Sequence, residues 1–263
     1  CIIDSNHVGK SIKSFINTDR KIPIVESLEI ALEKKSTVLV LGIAPSGGKI
    51  PKEWNRIIEK ALKNGLSIVN GLHELLFPRW KDLIKKNKNQ WIWDVRMPTF
   101  VPDIATGKAS KLKNKRILFI GTDMAVGKMT AALEIYSFLN KQSKNVGFVA
   151  TGQIGITLTG NGIPLDAFKV DHACGAVEAA VLENSKKEIV LIEGQGSLLH
   201  PGSTATLPLM RGSCPTHLIL CHRANKKTLR SPKNIKIPDL KEFIYLNELL
   251  STVSGTFPKA KVI

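Results

Sequence analysis

Several absences narrow what this 263-residue chain can be before any motif is weighed. No run of 18 or more apolar residues occurs, which argues against a membrane-spanning helix and a membrane partner. The four cysteines, Cys1, Cys174, Cys214 and Cys221, include no C-x-x-C pair. Neither a zinc site nor a redox dithiol is therefore expected, no metal site is predicted, and reduced thiols in a cytoplasmic protein are the default. No G-x-G-x-x-G follows a strand-like run, so a nicotinamide cofactor has no support. No repeat recurs at a spacing of about 20–50 residues, which removes a solenoid.

Acidic residues are scarce as well. Against 22 Asp and Glu stand 38 Lys and Arg, a formal net charge of +16. Such an excess suits nucleic acid when cations cluster on one face. Here lysine outnumbers arginine 30 to 8 and is spread along the chain; the densest runs, at 85–90 and 111–115, interleave with no aromatics. That pattern matches a compositional drift toward lysine, and nucleic acid is not expected as a partner. An anionic small molecule gains from the same positive field. An apolar fraction of 43% with 23% charged residues describes a globular chain able to bury a sizeable core. Its opening CIID and closing KAKVI both read as strand-like runs cut short, so the chain is expected to be part of a longer protein.

Apolar runs at 22–25, 37–44, 66–70 and 91–98 read as strands, the second apolar enough to predict burial on both faces. Between them, Trp54, Ile57, Ile58, Ala61 and Leu62 recur at helical spacing, with Pro51 suited to the first turn and Gly65 to the position past the end. Strand, helix and strand at this spacing predict a βαβ unit. After a polar stretch from Thr99 to Lys115 the alternation restarts with strands at 116–120, 146–150, 189–193 and 217–221. A helix is predicted through Met129, Ala132, Leu133, Tyr136 and Leu139. Another follows Asp239, its apolar stripe interrupted by Asn247. The fold class is α/β in two doubly wound units, 1–105 and 106–263.

The segment FIGTDMAVGKMT (119–130) sits between a strand and a helix, the setting of a phosphate-binding loop. Gly121, Thr122, Asp123 and Gly127 let backbone N–H groups converge on an anion, the helix start adds its dipole, and Lys128 reaches a phosphate oxygen. The hydroxyl that holds magnesium in such loops is replaced by Met129, and Thr130 lies about 100° further round the helix. A phosphate ligand held without metal is favoured. IVLIEGQGSLLHP (189–201) places Glu193, Gly194 and Gly196 at another strand end, with His200 just beyond. That edge is where open α/β sheets bind ligands. Glu193 reads as metal ligand, general base or substrate anchor, the plainer alternative being a carboxylate that caps a helix or fixes the loop. Gln153, Asp171 and His172 follow the strand at 146–150, and His222, Arg223 and Arg230 follow the last. In the first unit GIAPSGG (42–48) and GLHE (71–74) also follow strands.

These segments together resemble a two-domain bacterial and archaeal family long filed as a domain of unknown function, which includes the DgcN-type D-glutamate N-acetyltransferases. The resemblance runs from end to end. It rests on IIDSNHVGK, GIAPSGGKIPKEW, GLHELL, DVRMP, ATGK, GTDMAVGKMT, VATGQIGI, IEGQGSLLHP and LCHRA. It implies a Rossmann-like N-terminal domain followed by a P-loop NTPase-like doubly wound domain, in members longer at both ends. Methionine after the loop lysine is a trait of that family.

The implied activity is acetyl transfer from acetyl-CoA to the amine of an acidic D-amino acid, a small-molecule reaction in a cytoplasmic protein expected to be a homo-oligomer. A base must deprotonate the amine, and Glu193, His172 and His200 are the candidates. Amides of Gly194 and Gly196 would meet the oxyanion, Lys128 and residues 121–127 the CoA phosphates. Gln153 is a further substrate contact, and Arg96, Arg211 or Arg230 would hold the substrate carboxylates. Two alternatives stay open. One is an ATP- and magnesium-dependent ligase of the dethiobiotin synthetase type, with Asp123 or Glu193 on the metal and Thr130 assisting. The other is a module that binds nucleotide or CoA without turnover.

Overall fold

The computed structural model describes residues 1–43, 49–85, 89–252 and 259–263, in two compact units, Cys1–Val95 and Arg96–Ile263. Among the described residues no helix is long and apolar enough to cross a membrane.

In the first unit β1 (Ile2–Ile3) pairs in parallel with β2 (Ile24–Val25), and α1 (Leu28–Glu33) follows. A parallel sheet of β3 (Val38–Leu41), β4 (Ser67–Asn70) and β5 (Ile92–Asp94) has α2 (Trp54–Lys63) between its first two strands and α3 (Phe77–Trp80) before its third. As its spacing predicts, α2 buries Ile58, Ala61 and Leu62, and Gly65, at φ +85°, lies just past its end. The expectation that the strand at 37–44 is buried on both faces does not hold: Val38 and Val40 are 38% and 55% exposed. As an edge strand, β3 packs only Leu39 and Leu41 against the core of Ile58, Leu62 and Ile68. An apolar run marks β propensity whether one face is covered or two. Residues 44–48 of the GIAPSGG segment lie outside the described residues. At the other edge Asp94 organises the GLHELL segment. Its carboxylate accepts the N–H groups of Leu76 and Phe77 at 2.9 and 2.8 Å and the Asn70 side-chain amide at 2.7 Å, which fixes the start of α3.

The second unit runs β6 (Lys115–Gly121), α4 (Lys128–Lys141), β7 (Val146–Val149), α5 (Gln153–Thr159), α6 (Val170–Glu183), β8 (Ile189–Ile192), α7 (Thr206–Ser213), β9 (His217–Cys221), α8 (Leu240–Thr252) and β10 (Lys261–Val262). The strands form one parallel sheet in the order β10-β9-β6-β8-β7. Alternate residues of the central strands face opposite layers, as the period of two requires. Leu118, Ile120, Val190 and Ile192 pack with Ala173, Val177, Leu209 and Met210 of α6 and α7. Phe119 and Leu191 pack with Ala132, Ile135, Tyr136 and Leu139 of α4. This is a doubly wound sheet. On α8, Asn247 does not break the helix: it is buried and its side-chain amide donates to the Phe243 carbonyl at 2.7 Å.

The foot of the sheet is closed by a fully buried arginine. Arg116 Nε donates to the carbonyls of Ser213 and Cys214 at 3.1 and 3.0 Å, where α7 ends, and Nη1 donates to those of Leu112 and Asn114 at 3.0 Å. A cation at a helix C-terminus is favoured by the helix dipole, and here it also satisfies four carbonyls. Arg116→Ala strands them, at about 1–3 kcal/mol for each one left dry, so a loss of roughly 3 kcal/mol or more is expected. The midpoint of urea unfolding reads this directly; a loss below ~1 kcal/mol would show that water replaces the guanidinium without penalty.

Candidate functional site

Three loops leave the C-terminal edge of the central strands β8, β6 and β9, and the connections from β6 and β9 run toward opposite sides of the sheet. Such a switch point leaves a crevice above the strand ends. The loop after β6 occupies it. Gly121 ends the strand, and a side chain there would come within 2.7 Å of Val126 Cγ2 and 3.0 Å of Lys128 Nζ, so the loop folds tightly back over the strand end. Gly127, at φ +97°, turns the chain into α4, whose first N–H groups have no helical partner. Lys128 is buried and donates Nζ to the carbonyls of Asp123 and Met124 at 2.8 and 2.7 Å. Burial lowers its pKa to about 8, partly offset by Cys221 and Asp123. Met129 is half-buried, whereas Thr130 is exposed.

Glu193 follows β8 and is buried beside this loop. One of its oxygens, Oε2, accepts the N–H groups of Thr151 and Gly152 at 2.9 and 3.2 Å, which ties down the turn into α5. Oε1 has no hydrogen-bond partner among the described residues. Burial pushes the carboxyl above its usual range, opposed by the two backbone N–H groups. Gly194 lies flat against the β6 backbone, since a Cβ there would sit 1.6 Å from the Phe119 carbonyl oxygen and 3.0 Å from Lys128 Cδ. Gly196 has φ +68°, and Ser203 Oγ accepts the next N–H, from Ser197, at 3.2 Å. Gln153 opens α5, half-buried, on the turn that Glu193 holds.

The loop after β9 forms a small hairpin over the phosphate loop. Thr228 and Lys236 bridge antiparallel, with Leu229 N–H to the Ile235 carbonyl at 3.0 Å and Ile237 N–H to that of Lys227 at 2.9 Å. Two side chains fasten it. Asp123 Oδ2 accepts the Arg230 N–H at 2.7 Å while Oδ1 accepts that of Met124, also at 2.7 Å. His200 Nδ1 accepts the Gly202 N–H at 3.1 Å, which leaves the ring proton on Nε2 to donate to the Ser231 carbonyl at 2.7 Å. At the strand ends below, Thr122 Oγ1 and His222 Nδ1 are 3.0 Å apart. Between hairpin and loop lies a cavity of about 210 Å³, lined by Thr122, Asp123 and Val126 on one side and Arg223, Lys226, Arg230 and Lys233 on the other.

The structure thus brings Gly121, Thr122, Asp123, Gly127, Lys128, Glu193, Gly194 and Arg230 to one crevice. His200 reaches it as a fastener with both ring nitrogens engaged. His172 stands at the start of α6, its Nδ1–H donating to the Pro102 carbonyl at 2.7 Å, so the neutral ring keeps its lone pair on Nε2. Arg96 forms an ion pair with Asp166. Arg211 does not join the group. It lies in the last turn of α7, next to the carbonyls that Arg116 holds at the foot of β6. From Arg116 to Gly121 is about 16 Å of extended chain, because α7 leads back to the opposite edge of the sheet. Lys226 and Lys233 were not singled out by the sequence. The turn residues Ser231, Pro232 and Asn234 between two short runs were the available signal for the hairpin that presents them.

Comparison with known proteins bears on both units. Residues 103–263 match the family described as "Domain of unknown function (DUF1611_C) P-loop domain", and residues 5–98 match "Domain of unknown function (DUF1611_N) Rossmann-like domain". A D-glutamate N-acetyltransferase of Pseudoalteromonas sp is 38% identical over 227 residues, 85% of this chain and 67% of that relative. One of Tritonibacter scottomollicae is 38% identical over 219 residues, 82% of this chain and 65% of its own length. The chain therefore spans about two thirds of the curated relatives it matches. A crystal structure of a DUF1611 family protein from Anabaena variabilis is 45% identical and superposes with a TM-score of 0.94, covering 99% of this chain and 76% of that one.

Two pH dependences follow from the buried groups. Glu193 holds its proton more tightly in the folded state, so its contribution to stability is complete below about pH 4.5 and is lost as the pH rises through its folded pKa. Glu193→Gln has no such loss. The difference in melting temperature should move in the variant's favour between pH 4.5 and 7, and a flat difference would show an ordinary carboxylate. Lys128 loses its proton near pH 8 when the loop is empty, so the Kd of any phosphate ligand held by it should begin to rise above about pH 8. Calorimetric titration across pH 7–10 reads this, and an affinity constant over that range would remove Lys128 from the phosphate site.

Proposed function

This chain belongs to the DUF1611 family, and from that premise we propose that it is an N-acetyltransferase moving an acetyl group from acetyl-CoA to the amine of an acidic D-amino acid such as D-glutamate. The observation that carries the reading is the loop 121–128: a phosphate cradle whose lysine is followed by Met129 and whose one carboxylate, Asp123, has both oxygens engaged by N–H groups. Such a cradle suits a cofactor phosphate that is held and not hydrolysed. The two curated relatives, both D-glutamate N-acetyltransferases, support the same chemistry.

In this reading Lys128 and the first N–H groups of α4 hold the CoA diphosphate, Lys128 turning its Nζ from the Asp123 and Met124 carbonyls to the phosphate oxygens. The acceptor's ammonium must lose a proton before its nitrogen attacks the thioester carbon. Glu193 is the base: it is buried, its proton affinity is raised toward the working pH, and Oε1 has no partner among the described residues. The amides of Gly194 and Gly196 stabilise the oxyanion, each donor being worth roughly 3 kcal/mol in the transition state. Collapse of that intermediate breaks the C–S bond, and the second proton of the attacking nitrogen passes to the departing sulfur, leaving the neutral amide and CoA as the free thiol.

Release of free thiol from acetyl-CoA in the presence of D-glutamate tests this. Glu193→Gln should lower kcat by about 10²–10⁴ with little change in acetyl-CoA affinity, and Lys128→Ala should raise the KM for acetyl-CoA. A thermal shift that requires ATP with magnesium and ignores acetyl-CoA would overturn the assignment.

A further inference from the structure

Four cations, Arg223, Lys226, Arg230 and Lys233, line the cavity beside the phosphate loop against one carboxylate, Asp123. Asp123 supplies one negative charge against four positive ones, and its two oxygens accept the backbone N–H groups of Met124 and Arg230. Among the described residues none of the four side chains pairs with a carboxylate. Like charges gathered without a counterion repel one another, and a bound dianion relieves that repulsion. The hairpin carrying Arg230 and Lys233 is fastened to the loop through Asp123 and to the β8 loop through His200, so part of this basic wall is set before any ligand arrives.

We propose that this cavity is a second phosphate subsite, which binds the ribose 3′-phosphate of coenzyme A while the loop 121–128 holds the diphosphate. The inference rests on the acetyl-CoA reading above and adds to it how CoA is told from its dephosphorylated form. Two chemical facts select the 3′-phosphate over the acceptor's carboxylates. The cavity shares Thr122, Asp123 and Val126 with the phosphate loop, and the 3′-phosphate lies one sugar ring from the diphosphate. A phosphomonoester also carries nearly two charges at neutral pH and three acceptor oxygens, which suits arginine and lysine side chains converging from one segment.

The experiment compares CoA with dephospho-CoA by calorimetry on the full chain and on an Arg223→Gln/Lys226→Gln variant, whose substitutions are at exposed positions. The wild type should bind CoA about tenfold or more tighter than dephospho-CoA. The double variant should bring CoA to the level of dephospho-CoA and leave the latter within about twofold. Equal binding of both by the wild type overturns the subsite and leaves the acetyl-CoA reading standing. No binding of either removes that reading and the subsite with it. A rise confined to the KM for the amino acid in the double variant would assign the cavity to the acceptor instead.

Discussion

The parallel pairing of β6 between β8 and β9 is the constraint on which the rest of the second unit depends. Ile117 is registered with Leu191 on one side and His217 on the other, so all three strands end at one edge. Chain direction then places the glycine-rich loop after β6, the Glu193 turn after β8 and the basic hairpin after β9 side by side. No side-chain contact is needed to bring them together. Side chains only fasten what the sheet has gathered: Asp123 and His200 hold the hairpin, and Glu193 holds the turn into α5.

Cations dominate the electrostatics at this edge, an arrangement that suits an anion. Lys128 and the α4 start lie at the centre, with the cations of the β9 hairpin beside them. Carboxylates within reach are quieted in different ways. Asp123 has an N–H donor on each oxygen, whereas Glu193 takes both of its N–H donors on Oε2 and its proton affinity is raised by burial. The first arrangement commits Asp123 to holding the loop and the β9 hairpin together. The second raises the proton affinity of a buried carboxylate beside the loop, the property that the proposed base requires. Met129 fits this picture, since a loop that binds phosphate through amides and lysine has no use for a hydroxyl directed at a metal.

Long, strongly patterned segments were legible from the sequence. The helix at 54–63 and the strands of the second unit follow from apolar runs and their caps, and the phosphate loop from its glycines and lysine between strand and helix. Other features were not. The helix α6, with Ala173, Ala176, Val177 and Ala180 buried, is carried by small residues that give a weak apolar period. Val38 and Val40 look like core in sequence, since nothing local states that β3 lies at an edge. His200 and His172 carry the same side chain, yet among the described residues one has both nitrogens engaged and the other only Nδ1; distant carbonyls at Ser231 and Pro102 decide this.

The sequence by itself determined the α/β alternation, the phosphate loop and its missing hydroxyl, because each depends on residues within a dozen positions of one another. Tertiary structure alone decided which cations stand beside that loop and which do not. Arg230 and Arg211 are equally basic in sequence. Only the return of α7 to the foot of the sheet, and the fastening of the 227–237 hairpin at its top, sends one away from the crevice and brings the other to it. Strand order and chain direction are properties of long-range pairing, and no local pattern encodes them.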